Sequence, residues 1–347
     1  MAKGSCRCRA GRPGLPEERA IGCAALTEAY PSEAPSPTAP RASAALVIVN
    51  YRTPELVERC VRSALAGADR WELEIVIVDN GSGDGSAERL RASLPSATVL
   101  AEPENRGFAA GVNAGMRACE TEFAIVLNPD TEALPGSLEL LLDRLRGRPC
   151  TGVAAPLLVD RDGGVQVSTY RRFPGLFTLF VELCIPIGYA LVHVPRLHPY
   201  AMSPAAIARG ERPAHVCGAA LAIRRSAYRQ AGPLDEGFFL YLEETEWQRR
   251  VARAGWDIEL VKDARVLHLV RAGGEAALAP SPHFVTSAVT YLTLKGISRG
   301  LVKAVLLVAL GLSWATLSLI ALLPAKRSHA RLQARAYRAL FAELARA

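Results

Sequence analysis

The 347-residue chain carries eight cysteines but no Cys-x-x-Cys pair. Cys6, Cys8, Cys23, Cys60, Cys119, Cys150, Cys184 and Cys217 are scattered, which argues against a zinc ribbon, a dithiol redox motif or a disulfide framework. Free thiols in a reducing compartment are the expectation. A secretory signal is also missing: Arg7, Arg9 and Arg12 stand near the start, but no apolar run follows them. The main domain is therefore expected in the cytosol. No G-x-G-x-x-G follows the first apolar run, which removes the dinucleotide fingerprint of a dehydrogenase. A basic face on the main domain is lacking too. The formal net charge is +7, yet nine basic residues from Lys295 onward oppose one acid, Glu343. That tail carries +8 and leaves −1 for everything before it. Nucleic acid is thereby a poor partner, and an anionic membrane surface a good one, because the basic tail is also the most apolar part of the chain.

What is present is enough apolar matter to fold. Half of the residues are hydrophobic and 22% are charged, so global disorder is excluded. Residues 1–41 are rich in Pro, Ala, Gly and Arg and are expected to form a disordered leader. From Ala44, short apolar runs alternate with helical patterns. Strands are expected at 44–49, 73–78, 98–101 and 123–127, and helices at 53–66, 87–93 and 108–118. Thr53 and Pro54 supply an N-cap and a first helical residue. The pattern is α/β, a mostly parallel sheet covered by helices on both faces. Later strands are expected at 217–223, 256–261 and 266–269, with a helix over 243–254 ended by Gly255. Residues 171–200 read as an acceptor-side loop or as poorly patterned core. The folded domain is expected over 42–275, followed by an apolar, basic helical region over 280–347. Within that region, 304–323 holds 20 residues without a charge, long enough to span a bilayer. A single span would put the basic tail outside, against the positive-inside tendency; a hairpin or an interfacial helix would not.

Polar clusters stand where the predicted strands end, the edge at which open α/β sheets bind ligands. They are Asn50-Tyr51, Asp79-Asn80 and Asn128-Pro-Asp130. Asp79 opens a Gly/Ser/Asp loop that suits ribose hydroxyls or a base N–H, or is simply a tight turn. The glycines of Asn105–Gly115 suit either ligand approach or close helix packing. Asp130 is placed to hold a divalent cation such as Mg²⁺ or Mn²⁺ on a diphosphate, since hard cations take oxygen ligands. Three carboxylates, Glu243, Glu244 and Glu246, open a helix beside aromatic residues, a setting that raises a pKa and leaves a general base. His268 follows another apolar run, and Arg249 and Arg250 follow the acidic cluster.

Taken in order, Val49-Asn-Tyr51, Val78-Asp-Asn-Gly-Ser82, Asn105-Arg-Gly-Phe108 with Asn113, Leu127-Asn-Pro-Asp130, the Phe238–Arg250 acidic helix and His268 resemble glycosyltransferase family 2. The likeness is closest to its rhamnosyltransferase and galactofuranosyltransferase-like members and covers about residues 44–270. It implies a GT-A fold and an inverting transfer from a nucleoside-diphosphate sugar to a cell-envelope glycan or polyprenyl-linked acceptor. It implies a nucleoside pocket lined by Asn50, Tyr51 and Asp79 and bordered by Asn105, Gly107 and Asn113, with Asn128 on the donor side. Asp130 would bind Mg²⁺ or Mn²⁺, His268 would be a second ligand, and Glu244 would be the base with Glu243 as its neighbour. The implied location is the cytoplasmic face of a membrane. Two departures stand out: Glu243-Glu244 replaces the usual Glu-Asp, and Asn-Pro-Asp replaces Asp-x-Asp, which removes one expected metal ligand. Competing readings are a processive polysaccharide synthase, which needs several spans, and a catalytically inactive GT-A scaffold of an envelope-biosynthesis complex.

Overall fold

Ala44 to Val49 is apolar at every position because both faces of its strand are covered, and residues 44–48 are fully buried. In the computed structural model, residues 42–166, 169–187, 202, 207, 209, 211–269, 280–323 and 327–347 are described. The expected leader, Lys326 and residues 188–200 lie outside them. Strands β1 (Ala42–Asn50), β2 (Trp71–Asn80), β3 (Thr98–Glu102) and β4 (Phe123–Leu127) run parallel, in the order β3-β2-β1-β4. Helices α1 (Pro54–Leu65), α2 (Ser86–Ser93) and α3 (Phe108–Ala118) make the crossovers. Gly111 and Gly115 let α3 lie directly on β1: an added Cβ would come within 2.6 Å of Val49 and 2.3 Å of Val47. Helix α1 begins at Pro54 as expected, but the Thr53 side chain does not cap it. Its hydroxyl and its N–H turn back to Asn50 Oδ1, at 3.2 and 3.1 Å.

The second half completes one eight-stranded sheet in the order β3-β2-β1-β4-β9-β6-β10-β5. Its strands are β5 (Thr131–Ala133), β6 (Thr151–Val159), β9 (Ala220–Arg224) and β10 (Asp257–His268). A separate short antiparallel pair joins β7 (Tyr170–Arg171) and β8 (His215–Val216). Helix α4 (Ser137–Gly147) and strand β6 carry no motif and emerge only in the fold. The two strands expected at 256–261 and 266–269 are one strand, β10, broken by a register shift between Val261 and Arg265. Strand β9 runs antiparallel between β4 and β6, so the sheet is mostly but not wholly parallel. The remaining helices are α5 (Leu176–Leu183), α6 (Arg225–Ala231) and α7 (Glu243–Arg253). One apolar cluster packs under α1 and α4, and a second packs under α3 and α7.

After the sheet come α8 (Pro282–Leu294), α9 (Arg299–Ile320) and α10 (Arg327–Arg346). With α5 they share a third core that includes Leu179, Tyr291, Leu306, Leu310, Tyr337 and Leu340. Each fully buried leucine there stabilises by roughly 1.5–3 kcal/mol. Ser313 on α9 donates to the Leu183 carbonyl at 2.8 Å and accepts from the Ile185 N–H at 2.8 Å. The apolar run at 304–323 is thus folded against the protein along one side.

Candidate active site

The topology gathers the motifs on one edge. Strands β6 and β10 run parallel to β4, because each is separated from it by the antiparallel β9. The carboxyl ends of β1, β2, β4 and β10 therefore lie together, with the residues that lead into β9. Helix α7 starts at the same edge.

Asn50 and Asp79 are register partners at the ends of β1 and β2. Asn50 donates to Asp79 Oδ1 at 2.6 Å, and the Ser82 hydroxyl donates to the same oxygen at 2.5 Å. Asp79 is buried and fixed by this network. Arg52, at φ 57°, donates its N–H to Ser82 Oγ at 2.9 Å, which seats the turn that presents Tyr51. Tyr51 is 42% exposed and carries the Arg52 guanidinium over its ring at 5.2 Å. Asn80 donates to Asn105 Oδ1 at 3.0 Å and to the Gly107 carbonyl at 2.9 Å, joining the loops that follow β2 and β3. Gly107 sits at φ 90°, and a Cβ there would fall 2.4 Å from the Phe239 carbonyl oxygen. Asn113 is buried with its amide fully committed. It donates to Leu234 O and Glu236 Oε1 at 2.9 and 3.0 Å, and accepts from Tyr228 and the Leu234 N–H at 2.8 and 2.9 Å. It clamps the 234–236 loop onto α3.

Asp130 and His268 meet because β5 pairs antiparallel with the end of β10, with His268 opposite Thr131. Leu269 donates its N–H to the Asp130 carbonyl at 2.8 Å. His268 Nε2 lies 3.7 Å from Asp130 Oδ1. Gln166 holds the ring from behind: its Oε1 is 2.9 Å from His268 Nδ1, and its Nε2 donates to the His268 carbonyl at 2.8 Å. That bond puts the ring proton on Nδ1 and leaves the Nε2 lone pair facing Asp130. Burial lowers the His268 pKa, against the pull of Asp130, so the imidazole is neutral. Asn128 Oδ1, two residues from Asp130, is buried with no hydrogen-bond partner. A carboxylate beside a neutral imidazole is a donor pair that fits a divalent cation. Among the described residues, no group of three or more His, Cys, Asp or Glu side chains forms a self-sufficient metal cage.

The acidic helix supplies the other wall. Helix α7 starts after Tyr241 and Leu242, at φ 71° and 68°, a strained approach that turns the chain into its first turn. Glu243 is 4% exposed, with Oε2 unpartnered. Burial and the neighbouring Glu244 push its pKa well up. Burial raises Glu244 also, but backbone N–H groups and Arg171 favour its carboxylate. Both carboxyls are therefore held above the ordinary carboxylate range, and the pair resists carrying two charges at once. Glu246 plays a different part: its carboxylate takes Arg250 Nε at 2.8 Å, and Arg250 also donates to the Pro233 carbonyl at 2.8 Å. Gln248 exchanges two bonds with Val216, at 2.9 and 2.8 Å, and Trp247 donates to the Gly232 carbonyl at 3.0 Å. Helix α7 is thus pinned on three sides while Glu244 points at Gly218. A Cβ on Gly218 would stand 2.9 Å from Glu244 Cγ. Next to it, the Cys217 thiol is pushed up to about 11 by burial and by Glu244, with a weaker push from Asp130.

The sequence profile described as Glycosyl transferase family 2 matches residues 45–232, more than half of the chain. The chain belongs to glycosyltransferase family 2. It is 31% identical over 235 residues to the N-acetylglucosaminyl-diphospho-decaprenol L-rhamnosyltransferase of Mycobacterium tuberculosis, covering 64% of this chain and 75% of that one. It is 26% identical over 228 residues to a low-salt glycan biosynthesis hexosyltransferase of Haloferax volcanii, covering 64% and 66%. Among solved structures, it is similar to the mannosyltransferase PcManGT of Pyrobaculum calidifontis in complex with GDP-Man and Mn²⁺. That match has a TM-score of 0.51 and 16% identity over 90% of this chain and 88% of that one. At such identity the likeness speaks for the fold, which is GT-A.

In this family 2 glycosyltransferase, the sequence motifs include Asn80 but give no role to Gln166, Cys217 or Gly218. Gln166, Cys217 and Gly218 carry no local signal, because their partners are distant in the chain.

Proposed function

We propose that this enzyme moves a rhamnose-like or galactofuranose-like sugar from a nucleoside-diphosphate donor to a lipid-linked cell-envelope glycan, with inversion. One observation carries the reading: Glu244 stands against Gly218, directly after Cys217, and the Cys217 thiol is acted on by both Glu244 and Asp130, which puts the acidic helix and the Asp130–His268 pair at the same edge of the sheet. The relatives support the sugar and acceptor. One is named for rhamnosyl transfer to a diphospho-decaprenol carrier, and others for transfer to undecaprenyl phosphate.

The roles follow from position. Asn50, Tyr51 and Asp79 receive the nucleoside, with Asn105, Gly107 and Asn113 shaping the border and Asn128 the diphosphate side. Asp130 and His268 hold Mg²⁺ or Mn²⁺; two structural relatives were solved with Mn²⁺. When bound, the cation neutralises charge that develops on the leaving diphosphate. Glu244 takes the proton from the acceptor hydroxyl, and that oxygen attacks the anomeric carbon opposite the leaving group. Glu243, kept protonated by burial, avoids a second charge beside the base. The work takes place at the cytoplasmic face of the membrane, where such acceptors are reached.

A donor screen tests the reading. Purified protein with Mg²⁺ or Mn²⁺ meets a panel of nucleotide sugars and a lipid extract, and released nucleoside diphosphate is measured. Release with one donor, dependent on the extract, is the expected result. Donor binding without release across active extracts would instead mark an inactive GT-A scaffold.

A further inference from the structure

Helix α9 buries one side, Val302, Leu306, Ala309, Leu310, Ser313 and Leu317, in the C-terminal core. The opposite side is solvent-facing and carries no charge. It presents Leu301, Leu307, Val308, Leu312, Trp314 and Leu319 at 41–67% exposure, and Leu322 and Leu323 extend it. A continuous apolar half-helix open to water is a surface made for a partner. Beside it, α10 buries Ala330, Ala334, Tyr337, Leu340 and Leu344 and leaves Arg331, Arg335, Arg338 and Arg346 exposed. Lys303 joins the two helices by donating to the Ala345 carbonyl at 3.0 Å.

We infer that α9 and α10 form a one-leaflet anchor: the free face of α9 inserts among the acyl chains of an anionic bilayer, and the α10 arginines bind its headgroup phosphates. Charge selects the occupant. From Lys295 onward the chain has one acid, Glu343, which already pairs with Arg346 at 2.7 Å. A second copy on the apolar face would leave the arginine row without counter-charge, whereas an anionic leaflet supplies it. Packing decides the depth. A helix whose other side is tied to α5 by Ser313, and to the rest of the core, cannot pass through the bilayer without tearing that core open. It lies in the interface, and both helix ends stay on the side of the GT-A domain. This anchor is compatible with the lipid-linked acceptor proposed above but is carried by surface chemistry alone.

The test uses the full chain with a C-terminal tag and sealed vesicles of phosphatidylcholine, with or without 30 mol% phosphatidylglycerol (about that fraction, chosen to give a negative surface). Neither donor nor acceptor is present, so failure here leaves the transfer chemistry untouched, and failure of transfer leaves this result standing. Flotation should show binding to the anionic vesicles, weakened by salt. Leu312→Glu with Leu319→Glu should abolish it while circular dichroism stays native. The triple change Arg331→Gln, Arg335→Gln, Arg338→Gln should lower binding on the order of a hundredfold, from roughly fivefold per arginine. Bromine on shallow acyl positions should quench the fluorescence that Trp314→Phe removes, and protease added outside should cut the tag. A tag protected inside the vesicles would overturn the one-leaflet anchor in favour of a span. Equal binding to neutral vesicles, or a soluble dimer broken by the same leucine variants without vesicle binding, would overturn the anionic-leaflet assignment.

Discussion

Gly218→Ala probes the close contact between Gly218 and Glu244. The new methyl would meet Glu244 Cγ at 2.9 Å and Cβ at 3.2 Å, with Glu244 Cδ at 3.4 Å. Carbon atoms pack at about 3.5–4.0 Å, so the stem of Glu244 must retreat by roughly 0.7 Å. The helix behind cannot retreat with it, because Gln248, Trp247 and Arg250 hold α7 to Val216, Gly232 and Pro233. The side chain moves alone, and the carboxylate leaves the acceptor hydroxyl. A misplacement of about 1 Å at a reacting group costs on the order of a hundredfold in rate, or about 2.7 kcal/mol. We expect kcat to fall by that order, donor KM to hold within about twofold, and stability to drop by about 1–2 kcal/mol. Steady-state kinetics with a saturating lipid acceptor separate these quantities. Glu244→Asp in the Gly218→Ala background shortens the arm and should recover part of kcat, whereas Glu244→Asp alone should be slower than wild type. Wild-type kcat in Gly218→Ala, or loss of donor binding before loss of turnover, refutes the assignment of Glu244 as the base.

Five further outcomes follow from the same geometry. Glu244→Gln should keep donor affinity and lose transfer by about two to four orders of magnitude; full transfer would move the base to Glu243. Because the base acts deprotonated and burial raises its pKa, kcat/KM should fall on the acid side at a pH above the ordinary carboxylate range, and a rate flat down to pH 4 would contradict that. Glu243 binds a proton more tightly folded than unfolded, so its stabilising effect is complete below the unfolded pKa and is lost as pH rises through the folded one. Glu243→Gln should therefore melt higher than wild type at pH 8, by an amount that disappears at pH 4 in thermal scans. Asp130→Ala should remove Mn²⁺-linked donor binding in calorimetry, and Gln166→Leu should weaken it by about ten- to a hundredfold through the loosened His268 ring; donor affinities indifferent to Mn²⁺ in the parent chain would sink both.

Much of this protein was legible in the chain alone. Buried strands announced themselves as unbroken apolar runs, because a strand covered on both faces has no use for polar residues. Their ends announced the ligand edge, since Asn50, Asp79 and Asp130 break those runs abruptly. The α7 boundary was legible from its acids and from Gly255. Strand β6 and helix α4 carried no such break in pattern and passed unmarked. Only the tertiary structure decided how the pieces meet. His268 reaches Asp130 because β5 folds back onto β10, a pairing no local pattern encodes. Glu244 rather than Glu246 points into the cleft because Arg250 has already claimed Glu246. The apolar 304–323 run is long enough in sequence to span a bilayer but equally suits a hairpin or an interfacial helix, and its hydropathy does not say which side is covered. Packing against α5, α8 and α10 divides that helix into a core face and a free face, and this division, a property of contacts rather than of composition, sets what the helix can do.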